Sequence, residues 1–304
     1  MAKILVTGGT GLIGKTLCKM LKDKGYQVAL LSRQVSSRSE YQTFFWDPDH
    51  EVIDKEALQG TDVIIHLAGA NIAGGRWTDS RKRIIIRSRV QSADFLFSQV
   101  SRQKGQLHTF ISASGIDYYG RITSEHIFKE TDKPGRDFMA EVCRKWEHAA
   151  NQFETLGIRT VKIRTGVVLS DEGGALPRLV TPVKAGMGAP LAGGNQYMPW
   201  IHITDLCYIY MRAVEKPGLQ GAYNAVAPEH VTNKAFMRAL AHYLNRPFIL
   251  PSLPGAVLKL ALGEMAVMLT QGSRVSAEKI RMDGFCFRYP DLDSALPDLL
   301  KIQQ

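Results

Sequence analysis

The stretch VTGGTGLIG, residues 6–14, decides how this chain folds. It directly follows a short β-type run, Lys3–Val6, and it opens a segment whose apolar residues recur at helical spacing. Such a strand–turn–helix unit needs glycine for the tight turn, for the approach of backbone N–H groups to a diphosphate, and for close packing of helix on strand. Gly8, Gly11 and Gly14 have the required spacing and context, so the stretch predicts a phosphate cradle.

The rest of the first half alternates predicted strands and helices. Strands are predicted at Tyr26–Leu31, Asp62–Leu67, Leu107–Ser112 and Ile158–Arg164, and helices at Gly11–Lys24, Asp79 to about Arg102 (with Thr78 as N-cap) and Asp137–Leu156. This alternation predicts an α/β fold built on a doubly wound parallel sheet with helices on both faces, a Rossmann-like arrangement.

Glycine and proline become frequent after Thr165, which indicates long loops and a change of organisation. We therefore expect a dinucleotide-binding domain over residues 1–165, to which residues 204–227 return. Residues 166–203 and 228–304 should form a smaller C-terminal substrate lobe, with the substrate in the crevice between the two. The methionine-rich segment 254–270 is predicted as a helix packed against the sheet domain, because it is too short and too polar to span a bilayer.

The composition is typical of a globular protein, with 45% hydrophobic and 22% charged residues among 304. No apolar run is long enough to span a bilayer, and the first residues lack the layout of a signal peptide. The four cysteines lie far apart with no CxxC pair, which disfavours a disulfide framework or a zinc site. We therefore expect a cytoplasmic protein with no metal and no membrane contact, either a monomer or a homodimer.

The net charge of +9 raises the question of an anionic partner. The sequence contains no recognised nucleic-acid-binding motif and no long basic block, so we expect a small anionic ligand and no nucleic acid. The basic residues of the long helix, Arg81, Lys82, Arg83 and Arg87, are expected to form a solvated face.

The strand after the cradle indicates which dinucleotide binds. A site for NAD usually ends this strand with an aspartate or glutamate, whose carboxylate holds the ribose 2′-hydroxyl. This chain has Ser32 and Arg33 there, and no carboxylate follows before Glu40. A guanidinium carries a permanent charge and several donors, which suits a 2′-phosphate. The residues therefore favour NADP over NAD, with Arg38 as a further candidate contact.

Several motifs together resemble one family. They are TGGTGLIG, HLAGANI, GRWTDSRKRIIIRSRV, SASGIDYYG, RTGVVLS and PWIHITDL. The chain resembles the extended short-chain dehydrogenase/reductase superfamily, and more closely its divergent branch of epimerase-family proteins. The resemblance runs essentially end to end and includes a family-specific C-terminal segment from about Ser252 to Leu300.

The resemblance implies a set of cofactor contacts. Gly8, Gly9, Thr10, Gly11, Leu12, Ile13 and Gly14 would hold the pyrophosphate, Ser32 and Arg33 the 2′-phosphate, and Leu67, Ala68, Ile84, Arg89 and Val168 the remaining parts of the dinucleotide. Val168 would lie beside the nicotinamide.

One expected feature is missing from this chain. Reductases and epimerases of the superfamily use a Tyr-x-x-x-Lys pair on a helix, in which the lysine makes the tyrosine a better acid. Matching Glu147 to the family's usual glutamate places Met139 at the tyrosine position and Cys143 at the lysine position. No tyrosine in the chain has a lysine four residues later, and Lys145 is predicted to have a surface partner.

The remaining hydroxyl groups are the candidates for chemistry. Ser114 matches the usual catalytic serine, and Tyr118 and Tyr119 follow on a loop expected near the nicotinamide. Either tyrosine could act as an acid without a lysine, at a lower rate. Two functions stay open: an NADP-dependent oxidoreductase or nucleotide-sugar-epimerase-like enzyme for a small carbonyl or sugar-like substrate, and a non-catalytic NADP(H)-sensing or scaffold protein.

Other polar residues have weaker claims. Asp117, His126, Glu130 and Glu141 could also transfer protons, Asn195, Gln196 and Tyr197 are expected on the substrate-side loop, and His202 and Asp205 are expected to have structural roles.

Overall fold

A sheet of eight strands lies at the centre of the structure, a computed structural model that describes residues 2–35, 39–103 and 107–302. In chain order the strands are β1 (Lys3–Thr7), β2 (Gln27–Ser32), β3 (Gln42–Asp47), β4 (Val52–Ile53), β5 (Val63–His66), β6 (Thr109–Gly115), β7 (Ile127–Phe128), β8 (Arg159–Thr165), β9 (Val167–Ser170), β10 (Gly173–Gly174), β11 (Trp200–His202), β12 (Gly221–Ala225) and β13 (Arg274–Val275). The helices are α1 (Leu12–Asp23), α2 (Asp79–Arg102), α3 (Phe138–Asn151), α4 (Leu176–Lys184), α5 (Ile203–Glu215), α6 (Asn233–Tyr243), α7 (Gly255–Leu262), α8 (Val267–Thr270), α9 (Glu278–Met282) and α10 (Leu292–Leu300). Short 3-10 turns lie at Ile116–Tyr119, Gln152–Leu156 and Gly263–Ala266.

The order of the strands reverses at β1, at the centre of the sheet. The order is β12-β8-β6-β5-β1-β2-β3-β4, and neighbouring strands are parallel except for β3 and β4. The chain leaves β1 toward β2 and later returns to β5 on the other side of β1. In open α/β sheets such a reversal marks the point where ligands bind, at the carboxyl ends of the strands. The predicted α/β class with a doubly wound, Rossmann-like sheet is confirmed.

Apolar side chains hold helices on both faces of the sheet. Ile4 of β1 packs in a cluster with Leu17 of α1 and Leu206 of α5. The next residue, Leu5, points to the opposite face and packs in a cluster with Leu96 of α2. Because helices cover both faces, β1, β2 and β5 are apolar along most of their length and do not alternate with polar residues.

A second, smaller group of elements follows β8. Strands β10, β9 and β11 form a three-stranded sheet, and α4, α6 and α10 pack around Trp200 and Phe236. Between these elements the chain returns to the main sheet with α5 and β12, which lies beside β8. Asp205 of α5 is fully buried and its carboxylate accepts hydrogen bonds from the backbone N–H groups of Arg288 and Tyr289. This contact ties the C-terminal segment to α5, which is a structural role.

The methionine-rich segment 254–270 packs against the sheet domain as predicted, but it is not one helix. It forms α7 and α8, and the chain turns between them at Gly263, whose φ is +64°. Met265 and Met268 pack in a cluster with Trp77 and with Ile85 of α2. Across the described ranges of the chain, no helix is long and apolar enough to cross a membrane.

The prediction of a solvated basic face on α2 is wrong for two of its four residues. Arg81 donates to a backbone carbonyl of the loop before α2, and Lys82 forms an ion pair with Glu264 of the C-terminal segment. Arg83 and Arg87 are exposed. Thr78 caps α2 as predicted, because its hydroxyl accepts a hydrogen bond from the N–H of Arg81 at 3.2 Å.

The turn between β1 and α1 leaves no room for a side chain at Gly14. A Cβ atom there would lie 2.3 Å from the carbonyl oxygen of Gly8, and Gly8 itself has a φ of +69°. The helix can therefore start directly above the end of β1 only because glycine occupies this position.

We expect Gly14→Ala to lower the free energy of unfolding by about 1–3 kcal/mol, the usual effect of overpacking. Alanine favours a helix by roughly 1 kcal/mol over glycine, so a loss of stability would report the steric clash alone. Thermal and urea unfolding measure the change. Gly218→Ala is the matched control, because a Cβ at Gly218 meets nothing within 4 Å. Equal stability of the two variants would contradict the prediction.

Candidate functional site

The turn after β1 presents backbone N–H groups that have no side-chain partner. Gly8, Gly9, Thr10 and Gly11 form the turn, and Leu12, Ile13 and Gly14 begin α1. Gly11 is the N-cap of α1, no side chain accepts a hydrogen bond there, and the first turn contains no acidic residue. The unpaired N–H groups and the positive end of the helix dipole both favour an anion. The structure thus brings the predicted cradle residues together as one surface suited to phosphate.

Ser32 and Arg33 lie at the neighbouring strand end. Leu31 of β2 is in register with Thr7 of β1, so the next two residues lie beside the cradle. The Ser32 hydroxyl accepts a hydrogen bond from the N–H of Gln34 at 3.1 Å. Arg33 is exposed, and no ion pair holds its guanidinium in the described part of the chain. Arg38 falls outside the described residues.

A buried histidine orders the other wall of the cradle. The Thr7 hydroxyl accepts hydrogen bonds from the N–H groups of Leu67 and Ala68 at 3.2 and 3.1 Å, and it lies 2.8 Å from Nδ1 of His66. With both acceptor positions in use, the hydroxyl donates its proton to Nδ1. Nε2 then carries the imidazole proton and donates to the Ser92 hydroxyl, 3.1 Å away on α2. Burial lowers the pKa of His66 to about 4, which keeps the ring neutral.

Arg89 is a buried cation to which the described residues offer no acidic partner. It is 6% exposed, and its Nη1 donates to the carbonyl oxygens of Ala70 and Ile85 at 3.1 and 3.0 Å. Its Nε has no hydrogen-bond partner, and the guanidinium carbon lies 4.9 Å from the ring centre of Trp146. Burial lowers the pKa of Arg89 to about 10. Within the described ranges no carboxylate pairs with this group, so its charge is uncompensated.

Arg89 lies close to the cradle. A Cβ on Gly69 would come within 3.0 Å of the Arg89 guanidinium carbon. Gly69 directly follows Leu67 and Ala68, whose backbone would contact a Cβ placed on Gly8 at 2.9–3.0 Å. The cation without a carboxylate partner therefore lies close to the turn that forms the cradle.

Two of the three predicted hydroxyls are engaged inside the protein. Ser114 is buried, and its Oγ donates to Oε1 of Glu147 at 2.7 Å. Tyr119 is 1% exposed; its hydroxyl donates to Oδ1 of Asn224 at 2.7 Å and accepts from Nη1 of Arg164 at 2.9 Å. Burial also raises the pKa of Tyr119, which disfavours proton release. These contacts do not favour Ser114 or Tyr119 as the reacting group.

Tyr118 differs from its neighbour. It is half-buried, and in the described part of the chain its hydroxyl makes no hydrogen bond. The Arg164 guanidinium carbon lies 3.5 Å from the centre of its ring. The preceding residue, Asp117, forms an ion pair with Arg121 at 2.7 Å. Tyr118 is thus the one predicted hydroxyl that remains available to a ligand.

Apolar contacts fill the place of the missing tyrosine–lysine pair. Met139 is 2% exposed and packs with Trp77 and Val142. The Cys143 sulfur would lie 3.4 Å from a Cβ on Gly115, at the end of β6, and burial raises the pKa of its thiol. Lys145 forms an exposed ion pair with Glu141 at 2.7 Å, as predicted for a surface residue.

The outer predicted contacts, Ile84 and Val168, lie on different elements. Ile84 lies on α2 and is 48% exposed. Val168 lies on β9, which pairs with β10. Gly174 of β10 lies close to Leu12 at the start of α1, since a Cβ on Gly174 would lie 3.1 Å from the Leu12 side chain. β9 therefore reaches the cradle from the side of the smaller lobe.

The substrate-side loop is partly structural. The buried Gln196 amide donates to the carbonyl oxygens of Leu191 and Leu269, and the Tyr197 hydroxyl contacts a carboxylate oxygen of Glu125 at 3.3 Å. Asn195 is exposed. His202 caps α5, and its ring stacks on that of Tyr289. This is a structural role, as predicted.

Comparison with known proteins extends over nearly the whole chain. The sequence profile of the NAD dependent epimerase/dehydratase family matches residues 4–226, and a domain of unknown function (DUF1731) matches residues 253–299. The epimerase family protein YfhF of Bacillus subtilis is 34% identical over 298 residues, covering 98% of this chain and 97% of that protein.

Two solved structures are similar in both sequence and fold. The crystal structure of the human epimerase family protein SDR39U1 (isoform 2) with NADPH has a TM-score of 0.88 at 30% identity, covering 99% of this chain and 100% of that chain. The structure of the nucleoside-diphosphate sugar epimerase from Corynebacterium glutamicum has a TM-score of 0.81 at 34% identity, covering 100% of this chain and 59% of that chain.

The lowered pKa of His66 predicts a loss of stability in mild acid. In the unfolded chain, His66 is protonated below its usual pKa near 6.5. In the folded protein it stays neutral down to about pH 4. The free energy of unfolding should therefore fall by up to about 3 kcal/mol between these two pH values. Urea unfolding measures the fall, and His66→Gln should show a smaller one because it lacks the titrating group. Identical pH dependence in both proteins would refute the assignment.

Proposed function

The chain belongs to the NAD dependent epimerase/dehydratase family, and we propose that it is an NADP(H)-dependent oxidoreductase or epimerase-like enzyme for a small carbonyl or sugar-like substrate. The dinucleotide would extend across the carboxyl ends of the strands from Arg33 to the end of β6. The human relative whose structure contains NADPH supports this choice of cofactor.

The unpaired charge of Arg89 carries the proposal. Burying a guanidinium without an anionic partner costs several kcal/mol, so folded proteins normally pair such groups. Here Arg89 lies beside Gly69, which follows the segment that contacts the cradle, and the N–H groups at the start of α1 also favour an anion. The phosphates of a dinucleotide would supply negative charge to both places. Without a bound anion, the burial of the Arg89 guanidinium would only reduce the stability of the folded protein.

Arg33 supports the preference for NADP. Its exposed guanidinium lies one strand from the cradle, at the position where a dinucleotide presents the adenosine ribose. A 2′-phosphate offers a guanidinium two parallel charge-assisted hydrogen bonds, which a 2′-hydroxyl does not.

The two arginines should respond differently to substitution. Arg89→Met should weaken NADPH and NADH alike, because both cofactors carry the phosphates that would pair with it. Arg33→Asp should weaken NADPH by about 10- to 100-fold and spare NADH, since a hydrogen bond to a charged group contributes ~1.5–3 kcal/mol. Fluorescence titration of the reduced cofactors measures both constants.

Arg83→Met is the matched control, because Arg83 lies exposed on the same helix as Arg89. It should leave both affinities unchanged. An unaltered NADPH-to-NADH ratio in Arg33→Asp would remove the assignment to NADP, and absence of binding by the wild-type protein would remove the proposed function altogether.

Tyr118 is the proposed acid of the reaction. When bound, NADPH would supply the hydride that reduces the carbonyl carbon of the substrate. The Tyr118 hydroxyl donates its proton to the carbonyl oxygen, which becomes the hydroxyl of the alcohol product, and the phenolate then takes a proton from water. Without a neighbouring lysine the phenol is a weaker acid, so we expect slow turnover.

A non-catalytic sensor or scaffold is the second candidate. The buried, apolar contacts of Met139 and Cys143 favour it, because they fill the place where the superfamily's tyrosine and lysine would react. A sensor would bind NADP+ and NADPH with different affinities and would transfer no hydride.

Transfer of deuterium from stereospecifically labelled NADPH separates the two candidates. With a panel of small carbonyl compounds and nucleotide sugars, we expect label from one face of the nicotinamide in a product. Tyr118→Phe should lower this turnover by about 100-fold or more, in the range of general acid catalysis. Tyr119→Phe should mainly lower thermal stability, because it removes two buried hydrogen bonds. Binding of NADPH without any label transfer across the panel would favour the sensor.

A further inference from the structure

A buried ion pair lies directly beneath the candidate hydroxyls. Glu147 of α3 and Arg164 of β8 are 7% and 3% exposed, and they form a two-pronged pair with N–O distances of 2.7 and 2.8 Å. Although burial works against the charge, the hydrogen bonds and the negative charge of Glu147 raise the pKa of Arg164. Apolar residues can often replace such a pair without loss of stability. Its presence here therefore calls for a role besides stability.

Both partners of the pair contact the predicted site residues. A serine hydroxyl has one proton, and Ser114 donates it to the Glu147 carboxylate. The Arg164 guanidinium stacks on the ring of Tyr118 and donates to the hydroxyl of Tyr119. Ser114 can then offer only lone pairs to a ligand, and Tyr119 uses its own proton within the protein. Tyr118 alone keeps a free proton.

We infer that Glu147 and Arg164 are positioning residues for Tyr118 in the reaction proposed above. The carboxylate fixes the plane of the guanidinium through two hydrogen bonds, and the guanidinium face fixes the plane of the Tyr118 ring. A planar, delocalised guanidinium can hold a ring in this way, whereas the compact ammonium group of lysine cannot. The inference rests on the proposed function, but the orientation of Tyr118 can be measured without any cofactor.

The same contacts join Tyr118 to the C-terminal segment. Asn224 accepts the Tyr119 proton through Oδ1 and donates through Nδ2 to the carbonyl oxygen of Ser276 at 3.1 Å. Ser276 follows β13, which pairs with β7. The ion pair is thus held between α3, the main sheet and the segment matched by DUF1731, so its geometry depends on the seating of that segment.

Fluorine NMR of the protein with 3-fluorotyrosine at position 118 tests the inference. A clamped ring gives a resonance shifted from that of free fluorotyrosine and not averaged by ring flips. Arg164→Lys keeps the positive charge, and Glu147→Gln keeps the shape of the side chain. Both should nevertheless move the fluorine resonance of position 118 toward the shift of free fluorotyrosine and narrow it, because the ring is no longer held. Arg159→Lys is the control on the same strand, because the guanidinium of Arg159 donates to Thr109 and to backbone carbonyls near the end of α5, away from Tyr118.

Turnover supplies a second readout. With the panel compound that the wild-type protein reduces fastest, Arg164→Lys should lower kcat by about 10- to 100-fold, as misplacement of a catalytic group does. The Kd for NADPH should not change, because the partners that the described residues give to Glu147 and Arg164 lie outside the cradle.

Three outcomes would overturn the inference. One is an averaged, free-like resonance for position 118 in the otherwise wild-type protein, a measurement that needs no folded variant. Another is a resonance unchanged in folded Arg164→Lys, and the third is wild-type kcat in that variant. Failure of the wild-type protein to bind NADPH would instead contradict the proposed function. The NMR measurement of the Tyr118 ring would be unaffected, because it uses no cofactor.

Discussion

The close approach of α1 to the end of β1 determines where the rest of the site lies. Gly14 brings the helix against the carbonyl oxygen of Gly8, and Gly8 brings the turn against the backbone of Leu67 and Ala68. Three segments therefore meet with no side chain between them. Thr7 then fixes the two N–H groups after β5, with His66 behind it. The tight packing at Gly8 and Gly14, which only glycine allows, thus determines where the N–H groups at the start of α1 lie. Those N–H groups carry the positive end of the helix dipole.

Arg89 and Arg164 show two ways in which the fold treats a buried cation. Arg164 has a carboxylate partner of its own, so its charge is neutralised inside the protein and acts on neighbouring side chains. Arg89 donates to backbone carbonyls and to the Ser88 hydroxyl and lies over the Trp146 ring, and no carboxylate in the described part of the chain pairs with it, so its charge stays available for an anion from outside. Whether a buried arginine has a carboxylate partner therefore indicates its role more clearly than its burial alone. An arginine with such a partner suits a structural or positioning role, and one without suits the binding of an anion.

Local patterns in the sequence predicted the cradle and the central strands because their causes are local. The glycine spacing, the apolar runs and the Thr78 cap each depend on residues within a few positions of one another. The turn at Gly263 was missed, since a continuous apolar stretch does not reveal where a helix breaks. The partners of Ser114 and Tyr119 were also missed, because Glu147, Arg164 and Asn224 are distant in sequence. The spacing of Lys162 and Arg164 on one face of a buried strand was the available signal that such partners exist.

The absence of the tyrosine–lysine pair changes the chemistry that the proposed function would use. In the usual arrangement a lysine cation stands beside a reacting tyrosine. Here the cation beside Tyr118 is Arg164, but Glu147 neutralises it, so it can orient the phenol and adds little driving force for ionisation. A well-placed but weakly activated acid can still protonate an oxygen on which charge builds up during hydride transfer, because its proton is needed late in that step. This arrangement suits reduction of a carbonyl better than oxidation of an alcohol, which requires the phenolate at the outset. For the proposed reaction, this arrangement of Tyr118, Arg164 and Glu147 therefore favours NADPH as the bound form and reduction as the direction.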